Sequence, residues 1–194
     1  MIKFFQILIA FFSGSIGVLS FSPWEYWPCA IISFIGLKTT LHFSKKKNIQ
    51  VSTIGFFWGV GLFSNGIYWI YISLRFLYKI PTCTSLLILL ILIAYLSLYP
   101  MLFSIIITYI QSKFKSQFFL IISSSLLWII IEYIRENLFT GFPWLEFGYS
   151  QINSPLKNIA PIMGIHGITV ILITISELLY LFLLKKKYYT YCLP

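Results

Sequence analysis

The sequence predicts an all-α membrane protein, a bundle of six transmembrane helices whose two termini both lie in the cytoplasm. Three observations support this prediction. Apolar residues make up 59% of the chain and charged residues only 10%, a balance far outside the range of soluble domains. The apolar residues fall into six long runs, and the basic residues cluster in alternate connections between those runs.

Each apolar run approaches or exceeds the roughly 20 residues that a helix needs to cross about 30 Å of hydrocarbon. The predicted spans are 4–22, 27–44, 51–74, 82–110, 117–137 and 160–184. Together they form one polytopic transmembrane domain over 1–187, which a short cytoplasmic tail over 188–194 follows. The first run begins like a signal peptide, but the residues after Ser20 make a poor cleavage site, so we expect a retained helix.

The distribution of charge predicts the orientation. One set of segments, formed by the two termini and alternate connections, is purely basic: Lys3, Lys45, Lys46, Lys47, Lys113, Lys115, Lys185, Lys186 and Lys187. The other connections and the helix ends beside them carry both signs: Arg75, Lys79, Arg135, Lys157, Glu25, Glu132, Glu136 and Glu146. Basic residues concentrate on the cytoplasmic side of membrane proteins. We therefore expect a multi-pass membrane protein whose connection 138–160 faces outward, towards the periplasm in a two-membrane bacterium.

Several other classes of protein are disfavoured. The net charge of +9 does not indicate nucleic-acid binding, because the lysines form short clusters at span ends and no basic domain carries them. Cys29, Cys83 and Cys192 lack metal-ligand spacing, so we expect neither a metal ion nor a cofactor. A small transporter would place ionisable residues or broken helices near mid-membrane, where this chain is almost wholly apolar.

A few polar and small residues within or beside the spans have local interpretations. Lys38 and Glu177 lie towards the cytoplasmic ends of their spans, where they can snorkel or pair with each other. His42 and His166 have no partner visible in the sequence, and we expect both to be solvated or satisfied. Gly55 and Gly59 form a G-x-x-x-G pattern, which favours a close helix-packing face over the wall of a cavity.

The connection after the fifth span is irregular and yet apolar. Prolines and glycines forbid a continuous helix over 139–164, but aromatic side chains replace the polar residues of an ordinary solvated loop. Irregular backbone beside a bilayer is tolerated only where it packs on protein, lies in the interface or lines a cavity. Two interpretations stay open: an interfacial loop that its aromatic side chains anchor, or part of a lipid-binding site.

Candidate binding residues lie in this loop and just before it. Pro143 and Trp144 combine a rigid turn with a large amphipathic ring, which suits an acyl chain or an entrance between helices. Trp128, Glu132, Arg135 and Glu136 share one helix face near the outer end of the fifth span. Arg135 can contact a phospholipid phosphate, oriented by Glu132 or Glu136, or it can form a structural ion pair. The full candidate set is Phe142, Pro143, Trp144, Tyr149, Gln151, Glu132 and Arg135.

The loop sequence also resembles a known one. Thr140-Gly-Phe-Pro-Trp-Leu-Glu-Phe-Gly-Tyr-Ser-Gln-Ile-Asn-Ser-Pro-Leu is similar to the corresponding loop of the bacterial apolipoprotein N-acyltransferases. Further motifs of that family occur in order between about residues 14 and 184: Phe21-Ser-Pro, Trp27-Pro, Gly55-Phe-Phe-Trp-Gly-Val-Gly-Leu-Phe, Gly66-Ile-Tyr-Trp-Ile-Tyr-Ile-Ser, Ala94-Tyr-Leu-Ser-Leu-Tyr and Leu127-Trp-Ile-Ile-Ile-Glu-Tyr-Ile-Arg.

The resemblance implies a ping-pong acyl transfer, from a phospholipid donor through a cysteine thiolate to the N-terminal diacylglyceryl-cysteine amine of an apolipoprotein. The implied partners are therefore that phospholipid, the apolipoprotein acceptor and the lipid bilayer. In the family this loop lies at the mouth of the site, which gives Trp144 a lipid-binding role. Glu132 and Arg135 match the family pattern, whereas Glu136 stands where the family often has Gly.

The family's catalytic Glu, Lys and Cys lie in a nitrilase-like domain that follows a seventh span. The six predicted spans correspond only to the membrane portion, so we assign no catalytic residue to this chain. We expect the 194-residue chain alone to be inactive, as the truncated membrane portion of such an enzyme. The alternative is a non-enzymatic membrane remnant or helper protein of a split or decaying gene.

Overall fold

A computed structural model describes the backbone of residues 4–44 and 48–191 and the side chains up to residue 184. Within these ranges the chain forms seven α-helices and two 3₁₀ turns. The helices are α1 (Phe4–Val18), α2 (Pro28–His42), α3 (Asn48–Gly66), α4 (Tyr68–Phe76), α5 (Thr82–Lys113), α6 (Gln117–Asn137) and α7 (Ala160–Tyr191). The predicted helical class is confirmed. The charges assigned to Lys3, Lys45–Lys47 and Lys185–Lys187, and the position of Cys192, lie outside the described residues or side chains.

Four of the predicted spans correspond to one helix each. The sixth corresponds to α7, which is kinked at Gly164, where φ is 64° and ψ is −169°. The third divides into two helices. The range 51–74 divides into α3 and α4, with a break at Ile67, whose φ of −114° and ψ of 13° are not helical. Ser64, Asn65 and Gly66 precede the break, and all three are poorer helix formers than the apolar residues around them. The third predicted span therefore contains two helices, and its limits as a membrane span stay a prediction.

Three helical segments of the described chain are long and apolar enough to cross a membrane alone: Thr82–Lys113, Gln117–Asn137 and Pro155–Leu184. α1 is apolar but shorter. With 15 residues each, α1 and α2 rise about 22 Å, less than the hydrocarbon thickness. The protein is thus a helical membrane protein, while the six spans and the cytoplasmic termini stay predictions.

α3 lies between α1 and α5 and packs closely on both. A Cβ atom on Gly59 would lie 2.7 Å from Cγ of Pro100, and one on Gly55 would lie 2.6 Å from the Pro100 carbonyl oxygen. Neither position leaves space for a side chain, so α3 and α5 approach nearly backbone to backbone. This geometry supports the interpretation of the G-x-x-x-G pattern as a packing face.

Trp128 of α6 lies at the centre of an aromatic core. Its ring packs against those of Phe34, Trp58, Phe103 and Phe147, with centroids 4.9 to 5.7 Å apart. Phe147 belongs to the loop after α6 and is fully buried. The loop is therefore packed on protein through this side chain, which accounts for its irregular but apolar character.

A buried ion pair connects α2 with α7. The Lys38 Nζ lies 2.7 Å from Oε1 of Glu177, and both side chains are almost fully buried. The prediction that these two residues can pair is confirmed. Opposite charges in direct contact are the arrangement that makes ionisable groups tolerable among apolar helices.

Candidate functional site

The loop over 138–159, called the outer loop below, folds back onto the end of α6. Its backbone enters the left-handed region at Phe139, Gly141 and Leu145, with φ of 58°, 76° and 62°. The Phe142 N–H donates to the Arg135 carbonyl at 3.0 Å, which fixes the first turn of the loop. Left-handed backbone is costly for Phe139 and Leu145, so tertiary packing must hold the loop in this path.

Glu132 joins the outer loop to α6. Its Oε1 accepts hydrogen bonds from Nε1 of Trp128 at 2.9 Å and from the Phe147 N–H at 3.3 Å. The residue is 3% exposed. One carboxylate oxygen thus satisfies a core tryptophan and the backbone of the loop together.

Arg135 is buried without such partners. Its guanidinium lies over the ring of Phe63, 5.5 Å from the centroid, and the residue is 4% exposed. Among the described residues, Nε and Nη2 have no hydrogen-bond partner, and neither does Oε2 of Glu132. A structural ion pair between Arg135 and Glu132 was one of the two interpretations left open, and no such pair is formed among the described residues. Buried polar atoms nearly always have partners, so these atoms point to a ligand or to water.

The unpartnered atoms border a narrow crevice of about 20 Å³ between α3, α5, α6 and the outer loop. Ten residues line it: Trp58, Leu62, Phe63, Tyr99, Pro100, Trp128, Ile131, Glu132, Arg135 and Leu145. Its walls are mainly apolar, and Arg135 and Glu132 supply the charged groups. In this state the crevice has room for about one water molecule.

Glu146 adds a second buried carboxyl group from the loop itself. It is 2% exposed, and its Oε1 has no partner in the described part of the chain. Burial raises the pKa of Glu146 to about 7, and the Glu132 carboxylate adds to the rise while Arg135 opposes it. In the sequence, Glu146 contributed only to the charge count of the outward-facing connections. Its position as the one acidic residue of an otherwise apolar loop could have indicated a buried or functional carboxyl group.

The aromatic residues of the loop divide between core and surface. Phe142 is partly buried against the core, whereas Pro143 and Trp144 are exposed. The Trp144 ring, half-exposed, packs against that of Trp69 in α4 with centroids 5.2 Å apart. Trp144 therefore forms an exposed aromatic surface with Trp69, and it directly precedes Leu145 of the crevice wall.

Tyr149 and Gln151 lie elsewhere. They border a separate open groove of about 420 Å³ between the outer loop and the start of α7. Gln151 is fully buried, and its Nε2 donates to Oγ of Ser150 at 2.8 Å and to the Trp27 carbonyl at 3.4 Å. The seven predicted binding residues thus do not line one cavity. Glu132 and Arg135 line the crevice, Tyr149 and Gln151 line the groove, and Phe142, Pro143 and Trp144 line neither.

Comparison with known proteins shows which family the chain resembles. The family model described as the apolipoprotein N-acyltransferase N-terminal domain matches residues 13–178. The apolipoprotein N-acyltransferase of Wigglesworthia glossinidia brevipalpis is 47% identical over 184 residues, which is 95% of this chain and 36% of that protein. Those of Pasteurella multocida and Haemophilus influenzae are 40% and 41% identical, each over 92% of this chain and 33% of their own length. The chain thus spans about a third of the length of these curated relatives.

Proposed function

The chain belongs to the apolipoprotein N-acyltransferase family, and we propose that it forms the membrane portion that presents lipid substrates to the enzyme's catalytic part. The proposed donor is a phospholipid, and the proposed acceptor is the diacylglyceryl-cysteine end of an apolipoprotein. Both would approach from the bilayer at the end of the bundle that carries the outer loop. The proposed location is the bacterial inner membrane.

The observation that carries this proposal is the buried guanidinium of Arg135. Two of its nitrogens lack partners among the described residues, and they border a crevice beside the loop that the family shares. A phosphate oxygen pair is the natural complement of a planar guanidinium fork. The crevice is too narrow for a headgroup as it stands, so we propose that the segment around Leu145 moves outward when lipid binds.

The aromatic surface supports the same interpretation for the acyl chain. Trp69 and Trp144 are 44% and 50% exposed and pack on each other, and Trp144 directly precedes Leu145 of the crevice wall. Tryptophan prefers the membrane interface, because its ring is apolar and its N–H is polar. An acyl chain that lies along these rings would place the phosphate of the same lipid near Arg135.

We propose that the bond-forming steps belong to the part of the enzyme that the curated relatives possess beyond the matched third. There a cysteine thiolate would take the acyl group as a thioester and release a lysophospholipid. The amine of the diacylglyceryl-cysteine would then attack the thioester, form an amide and return the thiolate. No residue of this chain is assigned to that chemistry, and we expect chain 1–194 alone to show no acyl transfer.

A chimera tests the proposal directly. Residues 13–178 of this chain would replace the matched segment of a full-length relative, and acyl transfer to a diacylglyceryl-cysteine peptide would be measured in vesicles. We expect an active chimera in which Trp144→Ala lowers the rate by roughly tenfold, about 1.4 kcal/mol of lost transition-state stabilisation. The matched control is Trp24→Ala, since Trp24 is 51% exposed and lies outside the loop.

The outcomes separate the two functional hypotheses. Lower transfer by the Trp144 variant at normal abundance supports a lipid-binding role for the loop, whereas an unchanged rate leaves Trp144 only an anchoring role. A folded but inactive chimera would favour the alternative, a non-enzymatic membrane remnant or helper.

The proposed topology has a separate test. In a variant without native cysteines, Asn153→Cys should react with a membrane-impermeant maleimide added from the periplasmic side, and Asn48→Cys should not. The reverse labelling pattern would refute the assignment of the outer loop to the periplasm and of both termini to the cytoplasm.

A further inference from the structure

Three potential metal ligands from three different segments converge next to the crevice. Glu136 lies in the last turn of α6, Glu146 lies in the outer loop, and His166 follows the kink of α7 at Gly164, where φ is 64°. One ligand atom from each residue lies within 4.8 Å of the other two. We call this group the Glu136–Glu146–His166 cluster.

The members of the cluster do not satisfy one another. The His166 Nε2 is 3.6 Å from Oε2 of Glu136, longer than a hydrogen bond. Within the described part of the chain, Nδ1 of His166 and Oε1 of Glu146 have no partner, although both atoms are buried. Glu146 as a whole is 2% exposed. Carboxylate oxygens and imidazole nitrogens without hydrogen-bond partners are the donors that a metal ion requires.

The local charge also favours a cation. The carboxyl groups of Glu132 and Glu136 act on Glu146, and Arg135 is the one cationic group that acts on it. Three carboxyl groups beside one guanidinium favour a cation, and a metal ion that binds Glu146 would displace its proton. Buried charges that are neither paired nor coordinated are costly, so an ion here would remove that cost.

We propose that Glu136, Glu146 and His166 bind a divalent transition-metal ion, for which Zn²⁺ is the best-fitting candidate. One imidazole and two carboxylates are typical Zn²⁺ ligands, and three protein ligands leave a fourth position for water. Tetrahedral ligand atoms at Zn²⁺ distances lie about 3.4 Å apart, so the cluster must contract by at most about 1.4 Å. The side chains of Glu136 and His166 are partly exposed and can rotate to close that gap. The sequence did not predict this site because its ligands lie far apart in the chain, without metal-binding spacing.

Calorimetry of the chelator-treated chain 1–194 in detergent tests the proposal, with ZnCl₂ as titrant and cysteines blocked. We expect about one Zn²⁺ per chain. The variants Glu136→Gln, Glu146→Gln and His166→Asn should each weaken binding by about 100-fold or more, since even loss of an outer partner costs roughly 10- to 100-fold. The matched controls are Glu25→Gln and His42→Gln, which change an exposed carboxylate and the other histidine of the chain.

A second measurement on the wild-type chain covers variants that fail to fold. Bound Zn²⁺ should protect His166 from modification by diethyl pyrocarbonate, mapped by mass spectrometry, while the reactivity of His42 stays unchanged. No Zn²⁺ binding, equal binding by all the variants, or equal reactivity of His166 with and without Zn²⁺ would overturn the proposal. The 3.6 Å approach of His166 to Glu136 would then be an ordinary histidine–carboxylate contact.

Discussion

Two groups of buried charged side chains in this bundle differ in whether the charge is paired within the protein, although burial is costly for both. Lys38 and Glu177 join α2 to α7 through a 2.7 Å ion pair among apolar helices. Arg135, beside the outer loop, is equally buried, yet two of its nitrogens have no partner among the described residues. In the first group the two opposite charges lie in direct contact, which indicates a structural role. In the second group, the unpartnered guanidinium nitrogens would need a ligand or water to satisfy their hydrogen bonds, as expected of a binding site.

The largest predicted effect comes from breaking the Lys38–Glu177 pair. Lys38→Met should lower the free energy of unfolding by about 3–5 kcal/mol, because it leaves the Glu177 carboxylate buried without a countercharge. The double variant Lys38→Met with Glu177→Leu should regain most of that loss, since two apolar side chains need no pairing. Unfolding by a denaturing detergent, followed by tryptophan fluorescence, measures both values.

If the single variant proves as stable as the wild type, the pair is not structural and the contrast with Arg135 fails. Glu25→Gln is a suitable control because Glu25 is exposed.

Glu132 should show the next largest effect. Glu132→Ala removes the acceptor of both the Trp128 and the Phe147 N–H groups, and each buried donor left unpaired costs about 1–3 kcal/mol. We expect a loss of roughly 2–4 kcal/mol in the free energy of unfolding, together with faster proteolysis of the outer loop.

Glu132→Gln is the matched control, because its amide oxygen can accept the same two hydrogen bonds. We expect it to stay within about 1 kcal/mol of wild type. A Gln variant as unstable as the Ala variant would show that the charge of Glu132, rather than its acceptor oxygen, holds the loop.

How far the sequence alone predicts this molecule depends on whether a feature is local. Long apolar runs predicted the helices, because span length and hydropathy are properties of one segment. The break at Ile67 was missed because both halves of the run are apolar, although the poor helix formers Ser64, Asn65 and Gly66 directly before it were a local signal. The pairing of Lys38 with Glu177 was predictable, since an isolated charge within a span needs a partner.

The candidate site was predicted less completely. Helical spacing correctly placed Glu132 and Arg135 on one face, yet their pairing did not follow. Oε1 of Glu132 instead accepts hydrogen bonds from Trp128 and from the backbone of Phe147. Phe147 lies close to Glu132 because the loop folds back onto α6. The approach of Glu146 and His166 to Glu136 likewise depends on left-handed backbone at Gly141 and Gly164. The spacing of residues in the sequence predicts neither of these two turns.

A third prediction examines Arg135 as part of a binding site. Arg135→Lys keeps the positive charge but replaces the planar fork with a single ammonium group. We expect binding of short-chain phosphatidylglycerol to weaken roughly fivefold, about 1 kcal/mol, while the free energy of unfolding changes by less. Native mass spectrometry of the detergent-solubilised chain measures the binding.

Arg75→Lys serves as the control because Arg75 is exposed and donates to the Ile80 carbonyl at 3.2 Å. Equal weakening by both variants would mean that charge alone attracts the lipid.

The smallest predicted effect is the coupling free energy between Trp69 and Trp144, the exposed contact of the outer loop with α4. Trp69 and Trp144 pack with centroids 5.2 Å apart, but both rings are about half-exposed. Aromatic pairs contribute about 0.5–1.5 kcal/mol beyond burial, and exposure places this pair at the lower end. A double-mutant cycle with Trp69→Ala and Trp144→Ala should therefore give a coupling free energy of about 0.5 kcal/mol, measured by detergent unfolding. That value is far below the predicted loss for Glu132→Ala. The loop would therefore be held mainly by the hydrogen bonds to Glu132 and only weakly by the exposed Trp69–Trp144 contact, called the rim here. A weak rim lets the segment around Leu145 open for lipid, whereas a coupling above about 2 kcal/mol would argue for a rigid cover over Arg135.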